Sequence, residues 1–268
     1  MSEAGSNPAK HGESSVDAVP GRRTLEDRVI LVTGAHGGLG SAASLACAKA
    51  GATVVLLGRK VPKLARVYDA ISKHVQANQQ GSGLPEPINY PFDLEGASPD
   101  DHAELAQRIG ARFGRLDGIL HAAASFKGLA GLERTDPATF ARDIHVNLTA
   151  KAWLTQACLP LLRQATDSAL VFAVDDVERV SGAYWGGYGI AQQGTAALLT
   201  MLHAELANSS VRVSGLCPRP MRTGLRAMAY VEEDDRHAVL PDRHADDCVT
   251  LLSPAGAAHR GQIWMPRT

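Results

Sequence analysis

The stretch VILVTGAHGGLG at residues 29–40 decides the fold. Its first five residues are apolar or β-branched and predict a buried strand, and an Ala-rich helical segment, SAASLACAK, follows the glycines at residues 41–49. Glycines between a strand and a helix let the backbone approach a pyrophosphate, whose charge the free N–H groups of the helix start can meet. The stretch therefore indicates a dinucleotide-binding loop.

Short apolar strands alternate with helical segments along the rest of the chain. Such strands form a parallel sheet that is covered by helices on both faces. We predict a Rossmann-type doubly wound α/β fold of about seven strands, in a three-layer αβα single domain at residues 25–268. Residues 1–24 are polar and lack periodicity, which predicts a flexible tail. The further strands are predicted at 53–57, 88–92, 118–121, 169–174, 211–217 and 262–265, and the further helices at 61–75, 99–113, 137–164 and 188–206.

The bulk composition argues against several classes of protein. Lys and Arg total 27 against 28 Asp and Glu, a net charge of -1 that disfavours nucleic acid and membrane surfaces as partners. The four cysteines form no CxxC pair and indicate reduced thiols rather than a metal site. No apolar run is long enough for a signal peptide or a membrane span. We therefore expect a cytoplasmic protein without a metal.

The end of the second predicted strand bears on the choice of cofactor. The sequence there reads Leu57-Gly58-Arg59-Lys60. An acidic residue at this position would accept hydrogen bonds from the adenosine ribose and repel a 2′-phosphate. None is present, and a guanidinium suits a phosphate. The sequence favours NADP(H) over NAD(H).

With these motifs placed, the chain resembles the short-chain dehydrogenase/reductase family and, within it, the bacterial YciK-like oxidoreductases. The resemblance covers residues from about 25 to the last strand, and TGxxxGxG of the family fits residues 33–40. It implies a carbonyl reductase or alcohol dehydrogenase that acts on a small molecule. The cofactor-binding residues that it implies are Gly34, His36, Gly38, Leu39, Gly40, Arg59, Lys60, Asp93, Leu94, Ala122, Ala123, Pro218 and Thr223.

The same resemblance identifies the candidate catalytic residues. Asn147 in HVNLTA and Tyr188 in WGGYGIAQ match the asparagine and tyrosine of the family's catalytic tetrad. The tetrad lysine, four residues after the tyrosine, is replaced by Gln192, and the serine thirteen residues before it is replaced by Asp175. The family's NNAG reads HAAA at residues 121–124, and Arg219 stands in place of a glycine.

These departures change the expected chemistry of the tyrosine. A free tyrosine has a pKa near ~10. Gln192 cannot supply the cation that would lower the pKa of Tyr188, and the carboxylate of Asp175 would raise it. Neutral Tyr188 can still donate a proton, although less efficiently than an acid whose pKa lies near the operating pH.

Two hypotheses follow from the altered tetrad. In the first, the protein is a divergent reductase, in which burial keeps Asp175 protonated so that it donates to a carbonyl, while His121 or Arg219 stabilises charge. In the second, it is a catalytically silent dinucleotide-binding protein, either a sensor or a subunit of a hetero-oligomer.

Two further expectations concern charge pairing and assembly. Three positions are open to the side chain of Arg219: solvent, the nicotinamide pocket, and an ion pair with Asp175. Of the two inward positions we favour the ion pair, because two unusual charges of opposite sign stand at one expected site. The helices at 137–164 and 188–206 are the pair through which the family forms dimers, and their small residues allow close packing. We therefore expect a homodimer or homotetramer.

Overall fold

The computed structural model describes residues 23–78, 83–230 and 238–266. Its sheet has seven parallel strands in the order β3-β2-β1-β4-β5-β6-β7, which confirms the predicted doubly wound fold. Residues 1–22 of the predicted tail lie outside the described residues. The strands are β1 (Val29–Thr33), β2 (Thr53–Gly58), β3 (Ile88–Pro91), β4 (Gly118–His121), β5 (Ser168–Ala173), β6 (Val211–Leu216) and β7 (Ile263–Trp264).

Helices cover both faces of this sheet. Along β1, Ile30 and Val32 point to one apolar core and Val29 and Leu31 to the other, because successive side chains of a strand alternate between faces. The described helices are α1 (Gly38–Lys49), α2 (Val61–Ala77), α3 (Pro99–Phe113), α4 (Pro137–Ile144), α5 (Ala150–Gln164), α6 (Val177–Val180), α7 (Gly186–Glu205), α8 (Gly224–Ala229) and α9 (Ala245–Leu252).

Different helices pack on the two faces of the sheet. The first core receives buried residues from α1, α2 and α9, and the second receives them from α3, α5 and α7. Among the described helices, none is long and apolar enough to cross a membrane.

The prediction of one continuous helix over 137–164 is wrong. The chain forms α4, then a wide π-helical turn at His145–Thr149, and then α5. In the wide turn Asn147 donates from Nδ2 to the carbonyls of Asp143 and Ser125, both at 2.7 Å. Such turns often occur at functional sites, and this one lies directly below the candidate site.

The strand order reverses between β1 and β4, which run side by side with Thr33 opposite His121. In doubly wound folds, ligands bind in the crevice outside the carboxyl ends of the strands at this reversal. The glycine loop leaves β1 here, and residues 122–125 leave β4. The topology therefore brings the two segments together at the mouth of the crevice.

Candidate functional site

The glycine loop after β1 has the close backbone packing that a dinucleotide site requires. Gly34 has a φ of +62°, and a Cβ atom there would lie 2.7 Å from the Cα of Ala123. A Cβ at Gly40 would lie 2.2 Å from the carbonyl oxygen of Gly34. α1 begins at Gly38 without a side-chain cap, so the backbone at its start faces the crevice.

Basic side chains gather beside this loop, where β2 ends. Arg59 follows β2, Lys60 occupies the N-cap position of α2 without a side-chain capping bond, and Lys63 lies in the first turn of α2. The charges of all three act on His36 of the glycine loop, and together with its burial they lower the pKa of the imidazole. Arg59 also forms an ion pair with Glu95 at 3.1 Å. This donor set suits an anionic group such as a phosphate.

One cavity of about 490 Å³ joins the loop, the basic cluster and the predicted catalytic residues. Tyr188, Asp175 and Gln192 line it, whereas Asn147 lies behind its wall. The predicted cofactor residues at its wall are Gly34, His36, Gly38, Leu39, Arg59, Lys60, Asp93, Leu94, Ala122, Ala123, Pro218 and Thr223, and Gly40 packs beneath the loop.

Tyr188, Asp175 and Arg179 form a connected group in this cavity. The hydroxyl of Tyr188 donates to Oδ2 of Asp175 at 2.9 Å. Oδ1 of Asp175 forms an ion pair with Arg179 and accepts from the backbone N–H of Asp176 at 2.8 Å. Three donors, the Tyr188 hydroxyl, the Arg179 guanidinium and the Asp176 backbone N–H, therefore converge on the carboxyl group of Asp175.

The environment of Tyr188 suppresses its ionisation. Burial, followed by the charge of Asp175 and the hydrogen bond to it, raises the pKa of Tyr188 well above 10. Arg179 opposes this shift only in part. Tyr188 is therefore a neutral phenol at physiological pH, as the sequence predicts.

The other two tetrad positions have structural partners. Gln192 is 2 % exposed, and its Oε1 accepts from the backbone N–H of Asp175 at 3.0 Å. Asn147 is fully buried, and besides its two donated bonds it accepts from the N–H of Ser125 at 3.0 Å. Asn147 thus fixes the loop after β4 through hydrogen bonds to Ser125, and Gln192 fixes the backbone at Asp175.

The predicted ion pair between Asp175 and Arg219 is wrong. Within the described residues, the ion pair of Asp175 is formed with Arg179, which is four positions further along the chain. Arg219 is exposed at the rim of the cavity and donates to the carbonyl of Pro266 at 3.4 Å. Arg179 is the nearer partner because Asp176 caps α6 and turns the chain back toward the site.

His121 is also not available to stabilise charge in the cavity. Its ring is fully buried, stacks on Phe172 at a centroid distance of 4.8 Å, and bonds through Nε2 to Thr155 Oγ1 at 3.0 Å. Burial and the charge of Lys151 lower the pKa of this imidazole well below 6.5. His121 is therefore neutral and buried at the carboxyl end of β4, outside the cavity lining, so the His121 alternative of the reductase hypothesis is wrong.

Two features of the site are not predicted from the sequence. One is Arg179, for which the only signal is an Asp-Val-Glu-Arg run typical of a capped helix start. The other is the packing of Phe126 against Trp185 and the predicted Tyr188, with ring centroids 5.1–5.8 Å apart among the three. No sequence spacing connects Phe126 with the other two, because they meet only in the fold.

The sequence is similar to that of a known protein family. The model of the short chain dehydrogenase family matches residues 28–234. The chain belongs to the short chain dehydrogenase family. A relative, the uncharacterized oxidoreductase YciK of Escherichia coli, is 34 % identical over 222 residues, which cover 83 % of this chain and 84 % of YciK.

Solved structures of short chain dehydrogenases are similar throughout the fold. One from Pseudomonas syringae has a TM-score of 0.84 and 37 % identity, and covers 91 % of this chain and 96 % of its own. One from Escherichia coli, complexed with NADPH, has a TM-score of 0.84 and 33 % identity, and covers 92 % and 99 %. This short chain dehydrogenase therefore shares its architecture with relatives over nearly the whole described length.

Proposed function

We propose that the protein is an NADP(H)-dependent oxidoreductase that interconverts a small alcohol and its carbonyl compound. The observation that carries this proposal is the hydrogen bond between Tyr188 and Asp175, in the same cavity as the glycine loop. The cavity thus joins a site for the cofactor to a pair of groups that can move a proton. When bound, NADP(H) supplies or accepts the hydride.

Two observations support NADP(H) as the cofactor. Short chain dehydrogenases of similar fold from Escherichia coli and Shigella flexneri have been solved as complexes with NADPH and NADP. In this chain, Arg59, Lys60 and Lys63 surround the end of β2. These cations would hold the 2′-phosphate, and the glycine loop would hold the pyrophosphate.

The proton would move through Tyr188 to Asp175. In the oxidative direction the substrate hydroxyl gives its proton to Oη of Tyr188 while Tyr188 gives its own proton to Oδ2 of Asp175. The substrate carbon loses a hydride at the same time, so one hydride and one proton leave the alcohol. This relay needs no free tyrosinate, which the surroundings of Tyr188 disfavour. Reduction runs in reverse and begins with Asp175 in its acid form.

The activity can be tested with secondary alcohols and NADP+, followed by the absorbance of the reduced nicotinamide. We expect Tyr188→Phe and Asp175→Asn each to lower the rate by about 100-fold or more, since a positioned acid–base group typically contributes at least this much. Thermal melts and NADP+ binding serve as controls for folding. Turnover that is unchanged in both variants would contradict the relay.

The cofactor preference can be tested by calorimetry without a substrate. We expect NADPH to bind roughly tenfold more tightly than NADH, as one gained phosphate contact implies, and Arg59→Ala to remove most of the difference. Arg66→Ala is the matched control, because Arg66 is exposed on α2 and does not line the cavity. Equal affinities of the wild type for both cofactors would refute the preference.

A second candidate function is a catalytically silent dinucleotide-binding subunit. It is favoured by the neutral Gln192 in the lysine position and by the raised pKa of Tyr188. Cofactor binding without any turnover across a broad alcohol and carbonyl panel would support it. A cytoplasmic location and assembly as a homodimer or homotetramer stay predictions, and size-exclusion chromatography with light scattering tests the latter.

A further inference from the structure

His36 occupies an unusual position between the glycine loop and β2. Its ring packs so closely on Gly58 that a Cβ atom there would lie 2.4 Å from Nδ1. Nδ1 is buried and has no hydrogen-bond partner among the described residues. A buried polar atom without a partner is costly, and such atoms often mark the place of a missing ligand or ion.

The charges that face His36 are mainly positive. Lys60 and Lys63 of α2 and Arg59 at the end of β2 each disfavour its protonation, in addition to its burial. Glu95, in the loop after β3, lines the same cavity and is already held by Arg59 at 3.1 Å and Arg142 at 2.6 Å. Burial, followed by the charges of Lys60, Lys63 and Arg59, therefore lowers the pKa of the imidazole and favours its neutral form.

The loop after β3 contributes the remaining charge at this end of the cavity. Asp93 lines the cavity there, and its Oδ1 accepts from the backbone N–H of Glu95 at 3.1 Å. Its carboxylate therefore helps to shape its own loop. An anion that enters beside His36 would meet four basic side chains from the glycine loop, β2 and α2.

We propose that His36 takes up a proton from solvent when the 2′-phosphate of NADP(H) binds, and that this uptake couples cofactor choice to pH. The inference rests on the NADP(H) assignment of the proposed function. A phosphate dianion beside the ring reverses the sign of the local potential and favours the imidazolium, which then donates to the phosphate. NAD(H) has no such group, and its binding leaves His36 neutral.

The proton balance predicts a pH-dependent discrimination between the cofactors. Between the pKa of His36 in the free protein, which lies below 6.5, and its higher pKa in the complex, the affinity for the 2′-phosphate falls as pH rises. One proton taken up corresponds to about tenfold in affinity per pH unit within that window. Above the window, Arg59, Lys60 and Lys63 alone hold the phosphate.

The experiment uses two adenosine fragments as probes, adenosine 2′,5′-bisphosphate and 5′-AMP. Calorimetry on the full chain is carried out between about pH 6 and about pH 8, in buffers of different ionisation enthalpy, so that the protons exchanged are counted directly. We expect His36→Gln to reduce the number of protons taken up when the bisphosphate binds. The affinity of the variant for the bisphosphate should also depend less on pH, by about tenfold over this range. The substitution should change neither the proton uptake nor the pH dependence of the affinity for 5′-AMP.

The variant comparison separates His36 from the phosphate, which also titrates near neutral pH. His36→Asn is the second variant if His36→Gln melts early, and nitrogen-detected NMR of the imidazoles measures the pKa of His36 in the wild type with and without bisphosphate. Identical proton counts in wild type and variants, or an unchanged pKa, would overturn this inference alone. Equal affinities for the two fragments would overturn it together with the NADP(H) assignment.

Discussion

Replacing Asp175 by serine and Gln192 by lysine in one chain is expected to raise the rate of carbonyl reduction by roughly 100-fold. The first change removes the carboxylate that accepts from Tyr188 at 2.9 Å, and the second places a cation where a neutral amide now stands. Both changes lower the pKa of Tyr188 from its raised value toward the operating pH. A general acid is most efficient when its pKa lies near the operating pH, so we attribute the expected gain to Tyr188 as the proton donor.

The measurement is NADPH oxidation with a broad panel of carbonyl compounds. Adding Tyr188→Phe to the double variant should remove the gain. Asp175→Ser alone should give no gain, because it removes the proton acceptor of the relay without supplying a cation, and Gln192→Lys alone should give much less than both together. A double variant that folds and binds NADPH but reduces no compound faster than the wild type would show that the limitation lies elsewhere, for example at Arg219 on the rim of the cavity.

The second large effect is expected at Gly34. Gly34→Ala should weaken NADPH binding by roughly 100-fold or more, since a loss of this size needs only about 3 kcal/mol. Alanine at a φ of +62° costs about 1–2 kcal/mol, and its Cβ would lie 2.7 Å from the Cα of Ala123. Both strands that border the crevice would then have to separate at the place where the pyrophosphate is expected.

The matched control is Gly96→Ala, because a Cβ at Gly96 meets no atom within 4 Å. It should leave NADPH affinity and melting temperature unchanged. If Gly34→Ala lowers the melting temperature severely, Gly38→Ala tests the same loop, since its Cβ would meet only side-chain atoms of Thr223 and Pro241 at 2.7 and 3.1 Å. Full NADPH affinity in both folded loop variants would disprove the role assigned to the loop.

Predictions from sequence succeed where the deciding interactions are local. The helix over 99–113 has the predicted bounds, since Ser98 and Asp101 cap its start reciprocally and Gly114 ends it with a φ of 73°. The helix predicted over 137–164 is broken instead. Its wide turn depends on the bonds of Asn147 to Ser125, a residue 22 positions away in another loop. Helical periodicity carries no information about such a partner.

The candidate site divides in the same way. The strand, the glycine loop and Arg59 could be found in the sequence, because strand period, backbone freedom and charge at a strand end are properties of short segments. The raised pKa of Tyr188 could also be predicted, because Asp175 and Gln192 stand at the sequence positions of the family's serine and lysine.

The tertiary structure alone decided which charges meet and which are buried. Asp175 pairs with Arg179 rather than Arg219 because α6 turns back over the site, whereas the loop after β6 places Arg219 at the rim. Lys151 on α5 is 1 % exposed, and burial lowers its pKa to about 8. Coulombic interaction depends on distance and on the surrounding medium, and both are set only when the layers pack around the sheet.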